Sequence, residues 1–175
     1  MHINYEFKAR REVTDELEAM LQPFHPRFAG TDHQVDTYFN VPNGRLKLRE
    51  GNIEHALIYY ERHDAAAARQ SDVTLYHPAP NPALKQVLEK SLGIKVVVDK
   101  TRKIYFIDNV KFHFDDVKDL GRFVEVEAID KDGTIGIENL KEQCNVYAHL
   151  FRLTKEAYIA GSYSDLLLAK KSSTR

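Results

Sequence analysis

Between Gly44 and Glu50 the chain reads GRLKLRE, with Arg45, Lys47 and Arg49 on one parity and Leu46 and Leu48 on the other. A β-strand sends successive side chains to opposite faces, so this stretch sets three cations on one side of a sheet and two leucines on the other. The same period of two runs through residues 2–11, where Ile3, Tyr5, Phe7 and Ala9 oppose Asn4, Glu6, Lys8 and Arg10. Further strands are predicted over 34–41, 45–50, 55–62 and 73–77, and in the three closely spaced runs KVVVDKTRKIYFID, NVKFHFDDV and GRFVEVEAID. Asn43-Gly44 marks the tip of a hairpin turn and Gly51-Asn52 a second turn. The period changes at residues 13–22, where Val13, Leu17, Met20 and Leu21 follow helical spacing behind Thr14 and Asp15. A second helix is framed by Asn81 as N-cap, Pro82 at its first position and Gly93 as its stop. Helical spacing returns over 137–153 and again over 158–169, while the polar, small-residue stretch His63–Asp72 reads as an exposed loop, open to a lid role.

This order gives seven or eight mostly antiparallel strands with three or four helices inserted. Consecutive strands are joined by turns too short for a crossover, which argues against a parallel α/β fold. No repeat of fixed period is present. At 175 residues the chain suits one domain, placed at 1–169 with a frayed tail at 170–175.

Composition narrows the function. There are 25 basic and 26 acidic residues, so no overall charge draws the chain to nucleic acid or to an anionic membrane. The single cysteine, Cys144, excludes an internal disulfide and any multi-cysteine metal site. No apolar run approaches the ~20 residues needed to span a bilayer. A cytoplasmic location is expected, and a homodimer is left open.

The distribution of charge is more informative than its total. Cations alone occupy one parity at Arg45–Arg49 and at Lys100–Arg102; acids occupy it at Glu125 and Glu127; His113 and Asp115 share it too. Plain amphipathic strands with a wet face would look much the same. If the sheet instead closes into a barrel with helices outside, the charged parity points inward and lines a polar tunnel. Empty, such a tunnel is costly. It becomes sensible around a multiply charged anion with a divalent cation, because Lys and Arg match phosphate oxygens and paired carboxylates hold Mg²⁺ or Mn²⁺. A third arrangement, a lipocalin-like barrel for apolar ligands, requires the opposite parity inside, with Leu46, Leu48, Phe112 and Val124 lining the cavity.

Asn4-Tyr5-Glu6-Phe7-Lys8, DTYFNVPNGRLKLRE, YYER, VDKTRKIY, FHFDDVKDLGRFVEVE and SYSDLL occur in an order that resembles the CYTH family of class IV adenylate cyclases and thiamine triphosphatases, the triphosphate tunnel metalloenzymes. The resemblance runs over nearly the whole chain and is closest to the class IV cyclase branch. It implies an α+β fold built on a closed eight-stranded antiparallel barrel with flanking helices. It also implies a triphosphate-containing small molecule such as ATP as ligand, with Mg²⁺ or Mn²⁺. Carried over by position, Lys8, Lys47, Arg49, Arg62, Lys100 and Arg102 are the phosphate-binding set, and Glu6, Asp115, Glu125 and Glu127 the metal set. Lys8, Glu6 and Glu127 are the catalytic candidates, while Arg10 and Arg45 belong nearer the tunnel mouths. Asn4 departs from the family's first glutamate, which leaves a modified metal site or a binder of reduced turnover. The implied activity is cyclisation of ATP to cyclic AMP and pyrophosphate, with triphosphate hydrolysis and non-catalytic binding as its rivals.

Overall fold

The computed structural model describes residues 2–62 and 69–174, with the side chains of His2, Arg62, Arg69 and Gln70 left aside. Eight strands form one closed antiparallel barrel: β1 (His2–Arg10), β2 (Arg27–Phe39), β3 (Arg45–Gly51), β4 (His55–Arg62), β5 (Arg69–Tyr76), β6 (Ile94–Ile107), β7 (Val110–Val117) and β8 (Gly121–Asp130). Their order around the barrel is β1-β5-β4-β3-β2-β6-β7-β8. Closure falls to β1, which pairs with β5 on one side (Asn4 opposite Ser71) and with β8 on the other (Glu6 opposite Glu127, Lys8 opposite Glu125). The β2–β3 turn passes through Gly44 at φ +62, where a Cβ would meet the Tyr59 ring at 2.7–2.9 Å.

Helices α1 (Asp15–Leu21), α2 (Pro82–Leu92), α3 (Ile137–Leu150) and α4 (Tyr163–Ser173) decorate the barrel. The N-terminus of α2 is set as the sequence predicts, with the Asn81 side chain accepting from the Ala83 amide. The outer parity of β1, β7 and β8 supplies Phe7, Phe112, Phe114, Val124 and Val126, which pack against Leu17 and Leu21 of α1 and against Leu140 and Cys144 of α3. Apolar side chains therefore face the helices, and the lipocalin-like arrangement is ruled out.

Three local expectations shift. The stretch expected to form a loop over 63–72 ends earlier, because Arg69–Asp72 already belong to β5; residues 63–68, and any lid among them, lie outside the described residues. The strand expected from Gln34 begins at Arg27, where it is drawn into pairing with β6. The last helix starts at Tyr163 rather than Tyr158. Tyr158 makes an isolated bridge to Ala9, and the Ile159 amide donates to the Lys8 carbonyl at 2.9 Å, which holds this segment extended. α4 then begins at a reciprocal capping box between Ser162 and Asp165 and continues through Lys170 and Lys171. No helix among the described residues is long and apolar enough to cross a membrane.

Candidate functional site

A cavity of about 430 Å³ occupies the barrel lumen. Its lining includes Glu6, Lys8, Lys47, Arg49, Lys100, Arg102, Glu125 and Glu127, all from the charged parity. Toward one end Val96, Val98, Val117 and Phe123 are buried in a cluster with Tyr163 and Leu167 of α4, which fills the lumen there. The other end is ringed by Ile53, Glu54, His55, Leu75 and His77 and is the mouth.

The cations converge on Asp36 of β2, which is fully enclosed. Arg49 grips it with two bonds, Nε to Oδ1 and Nη2 to Oδ2, both 2.9 Å. Lys100 Nζ donates to the same Oδ2 at 2.9 Å, and Lys47 Nζ lies 3.1 Å from it. Burial alone would raise the Asp36 carboxyl, but Arg49, Lys100 and Lys47 together hold it well below the usual carboxylate range. Burial pushes the Lys100 ammonium down to about 7; Asp36 resists that and the neighbouring Arg49 and Arg102 add to it. Here, then, three cations gather around Asp36 beside an open space, with Glu54 a second carboxylate on Arg49 at 2.8 Å.

The opposite wall is acidic. Lys8 Nζ lies 3.1 Å from Glu125 Oε2, and His113 Nδ1 lies 3.2 Å from Glu125 Oε1. Burial, with help from Arg102, pushes the His113 imidazole down to about 3, so it is neutral near pH 7. Its Nε2 is buried with no partner among the described residues. Glu127 accepts a hydrogen bond from Asn4 Nδ2 and stands opposite Glu6. Burial pushes the Glu127 carboxyl up to about 7; Lys111 opposes that, and the nearby Glu6 and Glu125 charges reinforce it.

One expected metal-site residue falls away from the cavity lining. Asp115 does not line the cavity: Arg102 holds both of its oxygens at 2.7 and 2.6 Å, and the Tyr163 hydroxyl donates to Oδ2 at 2.6 Å. It anchors Arg102 to α4 at the closed end. Arg62 ends β4, and its side chain lies outside the described residues. Arg45 and Arg10 both sit at the α4 end, Arg45 bonded to Asp165 at 2.9 Å and Arg10 to the Leu120 carbonyl at 2.7 Å.

The structure adds Asp36, Glu54 and Lys111 to the lumen. Lys111 shares the parity of His113, and Asp36 that of Tyr38, so the rule that found the other charges extends to these two. Glu54 comes from the β3–β4 turn, where it accepts from Arg49 Nη1 at 2.8 Å and from Lys111; no periodicity marks it.

The acidic wall fits a divalent cation. Glu6 and Glu127 present carboxylates side by side from paired neighbouring strands, Glu125 follows, and Asn4 Oδ1 is a buried acceptor without a partner among the described residues. A cation would offset the burial, and the Glu6 and Glu125 charges, that raise the Glu127 carboxyl. Among the described residues these groups are not drawn together into a three-residue metal cluster. That suits a hard ion held by one or two carboxylates and completed by substrate phosphate oxygens.

The CYTH domain family model matches residues 2–160. Sequence comparison with curated proteins returns no match. Among solved structures, a conserved hypothetical protein from Pyrococcus furiosus superposes with a TM-score of 0.80 at 22% identity, over 93% of this chain and 99% of that one. A Vibrio parahaemolyticus protein proposed as an adenylate cyclase gives 0.73 at 18%, over 94% and 97%. A Hippeastrum protein proposed as an adenylyl cyclase, for which a dominant triphosphatase activity is stated, gives 0.58 at 14%, over 98% and 96%.

Proposed function

Since the chain belongs to the CYTH family, whose members act on triphosphates, we propose that it is a metal-dependent enzyme that binds a triphosphate in the barrel lumen. The observation that carries this reading is the convergence of Lys47, Arg49 and Lys100 on one buried carboxylate across the lumen from Glu6, Glu125 and Glu127. A triphosphate adds negative charge to this cluster, and Lys8 and Arg102 extend the basic surface toward the acidic wall. Charge neutralisation and positioning are the main sources of rate in phosphoryl and nucleotidyl transfer.

Glu6 and Glu127, with Glu125 and the Asn4 carbonyl oxygen beside them, would hold Mg²⁺ or Mn²⁺; bound there, the ion would neutralise charge on the phosphate oxygens. The chain's own side chains do the rest. Arg49 and Lys47 orient the phosphates from β3, Lys100 and Arg102 from β6. Asp115 fixes the guanidinium of Arg102 as a positioning residue.

The finer reading is class IV adenylate cyclase chemistry. The ribose 3′-hydroxyl oxygen attacks the α-phosphorus and loses its proton to water, the bond from that phosphorus to the bridging oxygen breaks, and pyrophosphate leaves as cyclic AMP forms. Support comes from the likeness of residues 33–50 to the cyclase branch and from the fold shared with the Vibrio protein. Hydrolysis of a triphosphate is the second reading, favoured by the activity stated for the Hippeastrum protein. Phosphorus NMR with Mg²⁺ or Mn²⁺ and ATP, thiamine triphosphate or tripolyphosphate in turn tests both. Cyclic AMP with pyrophosphate is expected; orthophosphate selects hydrolysis; tight binding without turnover selects a carrier or sensor; and no binding of any of the three overturns the proposal.

A further inference from the structure

Three buried polar atoms on residues that line the lumen have no hydrogen-bond partner among the described residues: Asn4 Oδ1, Ser71 Oγ and His113 Nε2. The first belongs to the acidic wall, and a serine hydroxyl can turn toward many partners. His113 is different, because its ring is tied in place. It is 2% exposed and lies on the inward face of β7 between Lys111 and Asp115, with Glu125 of β8 as its register partner. Neither the phosphate-binding set nor the metal set makes use of it.

The hydrogen bond to Glu125 fixes the tautomer of the imidazole. Glu125 Oε1 lies 3.2 Å from Nδ1, and Glu125 Oε2 is ion-paired with the Lys8 ammonium at 3.1 Å. A carboxylate only accepts, so the ring proton sits on Nδ1 and points at Oε1. Burial, with the cationic Arg102 and Lys111 nearby, disfavours a second proton on the ring. Nε2 is left as a bare lone pair on a residue of the cavity wall. That lone pair rejects triphosphate oxygens, which near neutral pH are charged acceptors with no hydrogen to offer. An unpaired buried acceptor costs stability, and in a polar cavity of about 430 Å³ a group bearing an O–H relieves that cost.

We propose that His113 Nε2 seats the water molecule that serves the reaction, accepting one of its hydrogens so that the water oxygen faces the phosphates. The inference rests on the triphosphate reading above and adds to it the residue that handles water. In cyclisation this water takes the proton of the ribose 3′-hydroxyl as the new O–P bond forms and pyrophosphate departs, and it passes that proton to solvent. In hydrolysis its oxygen attacks the terminal phosphorus, the bond from that phosphorus to the bridging oxygen breaks, and one hydrogen leaves to solvent as a proton. The position suits both. On β7, His113 is one inward step from Lys111, the register partner of Glu127, and one from Asp115, the register partner of Arg102. A phosphate held between the acidic wall and Arg102 would lie beside the ring. His113 is then a positioning residue whose ring Glu125 orients, as carboxylates fix the tautomer of working imidazoles elsewhere.

The test separates the two ring nitrogens. His113→Asn keeps an amide N–H near the Nδ1 position for Glu125 and has nothing at Nε2, whereas His113→Gln can place an amide oxygen where Nε2 stands. Each is compared with the unmodified protein by thermal unfolding, by Kd for Mn²⁺ and for triphosphate, and by kcat and KM. The substrate is whichever of ATP, thiamine triphosphate and tripolyphosphate the unmodified protein turns over. His113→Asn should lower kcat about a hundredfold with KM and both Kd values within about threefold, and His113→Gln should retain at least about a tenth of the parent kcat. Three results overturn the inference and leave the triphosphate reading standing: a kcat for His113→Asn within about threefold of the parent, a His113→Gln no more active than His113→Asn, or a loss expressed in Kd for Mn²⁺ or triphosphate instead of kcat. If His113→Asn does not fold, His113→Gln decides alone, with at least about a tenth of the parent kcat in support and less overturning the inference. If neither folds, the residue is structural and the inference falls. An unmodified protein that binds a triphosphate without turning it over also overturns the inference and leaves triphosphate binding standing. One that binds none of the three overturns the triphosphate reading and this one together.

Discussion

Replacing Asp36 with Asn keeps the shape of the side chain and removes the one charge on which Lys47, Arg49 and Lys100 converge. Arg49 and Lys100 lie within 2.9 Å of its carboxylate and Lys47 at 3.1 Å, with Arg49 and Lys100 themselves buried. Removing one partner from a buried ion pair costs about 3–5 kcal/mol, because the other charge is left uncompensated. Three cations share this partner, so the upper part of that range applies, offset in part by Lys100, whose ammonium already sits near its point of deprotonation at about 7. For a chain of 175 residues, at about 2–4 °C per kcal/mol, the ligand-free variant should melt about 6–20 °C below the parent. The diagnostic half of the experiment adds tripolyphosphate. An anion entering the lumen replaces the missing charge, so it should raise the melting temperature of Asp36→Asn by more than it raises that of the parent. Thermal unfolding followed by circular dichroism, with and without the ligand and at two ionic strengths, reads both effects. A ligand-free variant within about 1 kcal/mol of the parent, or equal stabilisation of the two proteins by tripolyphosphate, would refute the assignment of this cluster as the phosphate seat.

Four other outcomes follow from the same geometry. Lys100 is half neutral near pH 7, and a bound phosphate favours its ammonium form, so binding takes up a proton: triphosphate affinity should fall by up to about tenfold per pH unit between pH 7.5 and 9. Lys100→Arg should flatten that profile, measured by calorimetry in buffers of different ionisation enthalpy. Glu127 is raised from 4.5 to about 7, so its ionisation destabilises the fold fully above pH 7 and not at all below pH 4.5; Glu127→Gln should gain about 1–2 kcal/mol at pH 8, gain nothing at pH 4, and lose metal-dependent turnover. Asn4→Glu places a third carboxylate beside Glu6 and Glu127, which should tighten Mn²⁺ binding and raise metal-dependent activity while lowering metal-free stability; unchanged affinity in a titration would remove position 4 from the metal site. At Gly51 a Cβ would lie 2.6 Å from the Glu54 carbonyl oxygen and 2.7 Å from Asp32 Oδ2, so Gly51→Ala should cost about 1–3 kcal/mol and weaken ligand binding by displacing the Glu54 turn, checked by denaturant titration and by Kd.

The period of two was legible wherever a strand has one apolar and one ionic face. β1, β3 and the far half of β8 are such strands, which is why Lys8, Lys47, Arg49 and Glu127 could be placed from the sequence. β2 obscured its own message. From Tyr38 back to Asp36 it is buried on both faces, and its pairing with β6 shifts register twice, so Asp36 reads as one polar residue in an otherwise enclosed run. Lys111 was hidden for a different reason: it lies at the start of β7, where too little of the alternation precedes it. Glu54 acts from a turn, which the Asp32 carboxylate sets by accepting the Ile53 and Glu54 amides, both at 2.9 Å. Asp115 shows the converse, a residue whose parity was read correctly while its partners in the structure, Arg102 and Tyr163, come from β6 and α4. The helix expected from Tyr158 failed because local spacing carries no information about the Lys8 carbonyl that captures Ile159.

The stopper formed by α4 makes the barrel a cul-de-sac. With Tyr163 and Leu167 lodged among Val98, Val117 and Phe123 at one end, a ligand that enters past Leu75 and Ile53 has to back out along the same route. Traffic is then strictly first in, last out. On the proposed triphosphate reading, a two-part molecule cleaved inside would release the fragment nearest the entrance first, with the fragment seated among Lys47, Arg49 and Lys100 leaving behind it.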